Sequence, residues 1–501
     1  APRFDYAAST PELDVVARGV VARHGRERLS LRLPAPPQVS AGRAELTITI
    51  EPGRPVPIEL TFGGFRSTTP GPIALFRRTE RFWSRWVHGP TAPIHRIAGE
   101  WHAAVERSEL VLKLLSEAGS GAFVAAPTTS LPEWPGGPRN WDYRYVWVRD
   151  SAFAAQEMLL LGHPAEARGF LAWVVRRIEA ARASDNPLGV LYGAHGETDL
   201  AERELPDLSG FARSRPVRVG NAAASQFQLD VFGEILDAAL LLSGLDEGFV
   251  RRRLASLLAL AEVVAARWRE PDQGIWEVRG PPAPYVHSKL MAWVAFDRAA
   301  RLVEVLRPDG NASDRWRSEA DGVRSYLLET AWDPSTGSFP QATGAAVVDA
   351  ANLRIPHVGF LPYDDPKVLG TVDRVIRELG HGPFVYRYRG SDGLDGPEGT
   401  FLPCAFWLVE CLARGGRRAE ARDRFERLLS SASPLGLLPE EFDPDGFGPL
   451  GNFPQSLTHV ALLRAAIALG FADAPASVRA ELLRTMPDPS TAAGTPAPEK
   501  G

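Results

Sequence analysis

Cys404 and Cys411 are the 2 cysteines in 501 residues, and lysine is nearly as scarce, limited to Lys113, Lys289, Lys367 and Lys500. The two cysteines share one apolar, helix-like stretch, where seven residues of helix put them about 10 Å apart along the axis. That is beyond the reach of a disulfide, so they are expected to be buried thiols, which leave the compartment open. No apolar run is long enough to span a bilayer. The chain opens at Ala1-Pro2 with no initiator Met and no signal-peptide pattern. A segment upstream is therefore expected to have been removed, and the expected location is cytoplasmic. Metal-site spacings are missing too: there is no HExxH, no CxxC set and no paired-His arrangement. Gly119-Ser120-Gly121 lacks the rest of a phosphate loop, and there is no GxSxG elbow and no DxDD. A formal net charge of −5 gives no case for nucleic acid or anionic membrane as a partner.

What remains is ordinary globular composition, 45% hydrophobic and 23% charged. The length exceeds one average domain, yet a large closed helical barrel could use most of it. Residues 1–80 read as a partial β-sandwich-like segment, with strands expected at 19–23, 29–33, 44–50 and 57–62. A helix is expected near 75–87, and 81–104 reads as linker. Beyond it the periodicity becomes helical. The expected spans are 104–118, 149–161, 165–183, 223–243, 247–268, 285–306, 313–331, 345–354, 366–379, 399–414, 417–432 and 454–470. The barrel is placed at 105–475. A tail follows at 476–501, disordered at its end, from Pro487 onward.

The connections carry the useful pattern. Links such as 162–164, 244–246 and 415–416 are short, and they alternate with long ones at 119–148, 184–222, 269–284, 332–344, 380–398 and 433–453. In a ring of helical hairpins all the long links emerge at one end. The expectation is a mainly α fold, an (α/α)6 toroid, with one functional mouth.

The first long loop ends in Arg139-Asn140-Trp141-Asp142-Tyr143-Arg144-Tyr145-Val146-Trp147-Val148-Arg149-Asp150. Aromatic rings stack on the apolar faces of sugars, while Arg and Asp hydrogen-bond hydroxyls. A salt-bridged structural loop packed by aromatics has the same composition. The second loop holds Ser214 to Asn221 with Arg215 and Arg218, and the third holds Gly274-Ile275-Trp276-Glu277. The fifth holds Arg387, Asp392, Asp395 and Glu398, and the sixth Pro439-Glu440-Glu441. Glycoside hydrolysis needs one protonated and one ionised carboxyl. A Glu beside a Trp, such as Glu277, sits where desolvation can raise its pKa. Composition alone does not select the pair.

Five stretches in order resemble glycoside hydrolase family 15. They are 125–133 (AAPTTSLPE), 139–150, 214–234 (SRPVRVGNAAASQFQLDVFGE), 274–280 (GIWEVRG) with 287–293 (HSKLMAW), and 436–460 (GLLPEEFDPDGFGPLGNFPQSLTHV). The resemblance runs from about Pro2 to Leu469 and implies the (α/α)6 barrel behind a β-sandwich. It implies Glu277 as general acid and Glu440 as general base. It also implies substrate contacts from Tyr143, Trp147, Arg149, Asp150, Arg215 and Trp276. The implied reaction is anomer-inverting hydrolysis of a small-molecule glucoside with no metal or organic cofactor. YRYVWVRD and HSKLMAW resemble the trehalase branch of bacteria and archaea, which makes α,α-trehalose the favoured substrate. Glucoamylase action on maltose or α-glucans is the alternative, and a non-catalytic α-glucoside-binding protein a remote one. The family's sandwich is considerably longer than the segment here, so the expectation is either a truncated or split chain, or a homo-oligomer or partner that completes the sandwich.

Overall fold

The computed structural model describes residues 1–479 except 18, 65–70, 90–92, 182–185, 309–310, 391 and 472. The expected tail from Pro487 lies outside them. The chain divides into two compact units, Ala1–Gly89 and Pro90–Gly501. In the first, strands Glu12–Val16, Gly19–His24, Glu27–Arg32 and Glu59–Phe62 form one antiparallel sheet in that order. His24 pairs with Glu27 across a two-residue turn. Gly25 there takes φ +57°, the left-handed backbone that hairpin turns of this length use. A separate hairpin joins Gln38–Ser40 to Arg43–Glu45. The strand expected at 44–50 therefore stops at Glu45, and Glu12–Val16 is a strand that the sequence reading missed. The helix expected near 75–87 spans Pro72–His88, with proline in its first turn.

In the second unit, six helical segments close into an inner ring: Val148–Leu160, Asp230–Ser243, Val286–Leu306, Ala350–His357, Leu402–Arg414 and Ser456–Phe471. Each packs on the next, and the last packs on the first. Helices His102–Leu115, Pro164–Ala180, Leu254–Arg267, Asp314–Ser325, Pro366–Leu379 and Arg418–Leu429 lie against them as an outer ring. The inner helices are the apolar ones. Phe153, Phe232, Phe296, Phe406 and Leu463 are all buried, and that burial drives the closure. This is the (α/α)6 barrel. Cys404 and Cys411 are free and buried within Leu402–Arg414. Among the described residues no helix is long and apolar enough to cross a membrane.

Two helices begin later than their periodicity suggests. The one expected at 223–243 starts at Asp230. Ahead of it Gln226 and Gln228 are drawn out to bond Glu277 and Arg149. The one expected at 345–354 is a short turn, Ala350–Leu353, running into Arg354–His357. Its start is set by Asp349, whose carboxylate accepts from the Ala351 amide.

Candidate active site

The outer-to-inner connections converge at the N-termini of the inner helices around a cavity of about 820 Å3, counted to its open mouth. Tyr143, Trp147, Arg149, Asp150, Trp276, Glu277 and Glu440 all line it. Arg215 does not. It is exposed, while its neighbour Ser214 turns inward to accept from the Gly136 amide. The second loop contributes Asn221, Ala223 and Gln226 to the wall instead.

The first loop reaches the site through a short antiparallel pairing of Val146–Trp147 with Leu191–Tyr192. Behind Trp147 lies an apolar cluster of Ala125, Val190, Leu191, Leu200 and Ala223, which fixes the indole. The Trp147 Nε1 donates to Glu277 Oε1 at 2.5 Å. In the first turn of the helix, Arg149 donates to Asp150 Oδ1 at 2.9 Å, to the Ile275 carbonyl at 2.9 Å and to Gln228 at 3.2 Å. Its Nη2 stands 3.5 Å from Glu277 Oε1 and its Nη1 3.6 Å from Asp230. Asp150 lies in the first helical turn, where the helix dipole favours an anion.

Glu277 takes φ +58°, a left-handed backbone that costs a non-glycine residue roughly 1–2 kcal/mol. Neighbouring groups hold it there. Its amide donates to Gly274, its carbonyl accepts from Gln226, and buried Lys289 ties the loop's start by donating to the Glu270 carbonyl. Strain of this kind collects at functional sites. Burial raises the Glu277 carboxyl, against the opposing pull of the Arg149 charge and the Trp147 hydrogen bond. Trp276 points the other way, donating to both Asp349 oxygens at 2.8 and 3.0 Å and packing edge-on to Phe401.

Glu440 faces the same cavity from the sixth loop. Its carbonyl accepts from Leu402, and the strand Glu441–Asp443 that follows pairs on both sides. Tyr143 donates to Glu440 Oε1 at 2.6 Å. A Cβ on Gly451 would fall 2.6 Å from Glu440 Oε2, so this close backbone approach needs glycine. Burial raises Glu440 too, while Arg387 and the Tyr143 hydrogen bond pull it down. Glu441 turns away from the cavity. Its Oε2 accepts from Gly399 and its Oε1 lies 3.4 Å from Arg387.

Sequence reasoning gave no role to Glu133, Gln226, Gln228, Asp349 or Tyr388. Each is a lone polar residue in a long loop, and its partners are brought to it by folding. The extended spacing Gln226-Phe227-Gln228 puts both amides on one side, which is the only local signal.

Residues 102–467 match the family described as glycosyl hydrolases family 15. A relative from Mycobacterium tuberculosis named trehalase is 44% identical over 393 residues, 78% of this chain and 57% of that protein. Another from Thermoplasma volcanium, also named trehalase, is 35% identical over 472 residues, covering 93% and 74%. The matched part of this chain thus spans little more than half of the mycobacterial relative. Among solved structures, a bacterial glucoamylase complexed with acarbose superposes with a TM-score of 0.68 at 15% identity, over 93% of this chain and 75% of that one, a likeness of fold. With a family match covering most of its length, the chain belongs to glycosyl hydrolases family 15.

Proposed function

We propose that this chain is an exo-acting, anomer-inverting α-glucoside hydrolase whose favoured substrate is α,α-trehalose. The observation that carries the reading is that two carboxyls with different partners line one cavity: Glu277 is held by nitrogen donors and Glu440 by a tyrosine hydroxyl. Glu277, raised by burial, is the acid that protonates the glycosidic oxygen. Glu440, as carboxylate, takes a proton from water attacking the anomeric carbon on the opposite face. The C–O bond breaks as the water oxygen bonds, so one glucose leaves inverted. Arg149 and Asp150 grip the hydroxyls of the glucose whose glycosidic bond is cleaved, and Tyr143, Trp147 and Trp276 wall it. The catalytic barrel is assigned to 105–475, leaving 1–80 and the linker 81–104 outside the chemistry.

The relatives named trehalase support trehalose as substrate. The test is glucose release from trehalose and, separately, from maltose, with Glu277→Gln as the control. Turnover of trehalose well above maltose, lost in the variant, supports the proposal. Turnover of maltose alone would move it to glucoamylase, and no turnover of either by folded protein would refute it.

A further inference from the structure

We propose that Glu133 is a further working carboxyl of this site, a neutral acid that donates its O–H to a hydroxyl of the bound sugar. The proposal rests on the glucoside-hydrolase reading above.

Glu133 follows the strand Thr129–Pro132, is 2% exposed and lines the cavity. Its Oε2 is buried with no hydrogen-bond partner among the described residues. The cations facing it are Arg387 at 3.8 Å and Arg139 at 4.0 Å, both beyond hydrogen-bond reach. Both guanidiniums are committed to nearer acids. Arg139 bonds Asp392 at 2.8 and 3.1 Å and Glu398 at 2.7 Å. Arg387 bonds Glu398 at 2.5 Å and stands 3.4 Å from Glu441.

Charge counting then requires that protons be retained in this cluster, and the hydrogen bonds indicate where. Glu133, Asp392, Glu398, Glu440 and Glu441 are five buried or nearly buried carboxyls set against the two guanidiniums of Arg139 and Arg387. Ionising all five would leave three uncompensated charges out of water, and buried groups neutralise rather than accept that. Asp392 and Glu398 keep short ion pairs and accept from Tyr388 as well. Glu440 accepts from Tyr143 and Glu441 from the Gly399 amide, although burial raises Glu441 well above the ordinary carboxyl range, so that it too retains a proton. Glu133 has none of these. Burial raises its carboxyl, Arg387 opposes this, and ionised Glu440 and Glu398 reinforce it. A protonated carboxyl is a donor as well as an acceptor. In the cavity wall its natural counterpart is a polyol ligand. The retained proton has a second consequence, because it leaves Glu440 as the ionised carboxyl facing the attacking water.

The test compares Glu133→Gln, neutral and still a donor, with Glu133→Met, of similar length and no donor. On trehalose, the Met variant should lose about 10–100-fold in kcat/KM with its circular dichroism unchanged. The Gln variant should retain about tenfold more activity than Met. In Gln the acidic limb of the pH profile should stay in place, since one neutral group replaces another. Infrared difference spectra of the unliganded protein at neutral pH, wild type minus variant, should show one protonated-carboxyl band that both variants lose, over the unchanged absorption of protonated Glu277. Absence of that band, or an acidic limb that drops in Gln, would mean Glu133 is ionised and would overturn the proposal, as would kinetics in Met equal to those of Gln. The infrared readout needs no substrate. An inactive wild type would therefore refute the hydrolase reading, whereas a missing band would refute this one.

Discussion

Glu277 sits on a loop bent into left-handed backbone with its side chain 20% exposed, whereas Glu440 lies beside a paired strand and is 1% exposed. The two walls solve different problems. An acid must stay protonated and reach the leaving oxygen, so Glu277 sits on a strained turn and is met by Trp147 and, at 3.5 Å, by Arg149. A base must be ionised although buried, so Glu440 receives a 2.6 Å hydrogen bond and the field of Arg387. The difference teaches that proton chemistry here is set by the neighbours of each Glu. The residue type is the same on both sides.

The harshest way to probe that comparison is to remove either carboxyl. Glu440→Gln and Glu277→Gln should each lower kcat by about 10²–10⁴-fold, measured on trehalose. Next comes the donor on each wall. Tyr143→Phe removes the hydrogen bond that favours ionised Glu440, so the base pKa rises and the acidic limb of the pH–rate profile moves up. Trp147→Phe removes the donor that lowers Glu277, so the acid pKa rises and the alkaline limb moves up instead. Each change should cost roughly tenfold in kcat/KM. If both variants shifted the same limb, the walls would not be separable. Backbone strain on the acid side is sharpened by stability. Glu277→Gly should be more stable than Glu277→Ala by about 1 kcal/mol in denaturant titration, because only glycine adopts φ +58° freely. The smallest effect is expected at Arg215, exposed and outside the cavity wall. Arg215→Ala should change kcat/KM by about twofold or less.

Much of the barrel was readable because helical periodicity and short–long loop alternation are local signals. Helix 366–379 matched its expected span, and the inner helices Val286–Leu306 and Ser456–Phe471 began and ended within two residues of theirs. The readings failed where tertiary contacts overrule local preference, as at Gln226-Phe227-Gln228 and at the Asp349 cap. In the site, Tyr143 through Asp150 were legible because they are contiguous. The Arg139–Asp392–Glu398–Arg387–Glu133 cluster was not. Arg387, Asp392 and Glu398 stood out together in the fifth loop, but their partners Arg139 and Glu133 come from the first, and a charge count exists only once folding has joined the two loops out of water. Arg215 illustrates the reverse error, since a motif match carries no information on which way a side chain turns.

The central claim, an acid and a base acting from opposite walls, is tested most directly by proton NMR of the anomeric signals in the first moments of trehalose hydrolysis. The account predicts one β-glucose and one α-glucose per trehalose, followed by slow mutarotation. Two α-glucose molecules per trehalose would mean retention through a covalent intermediate, and would contradict it.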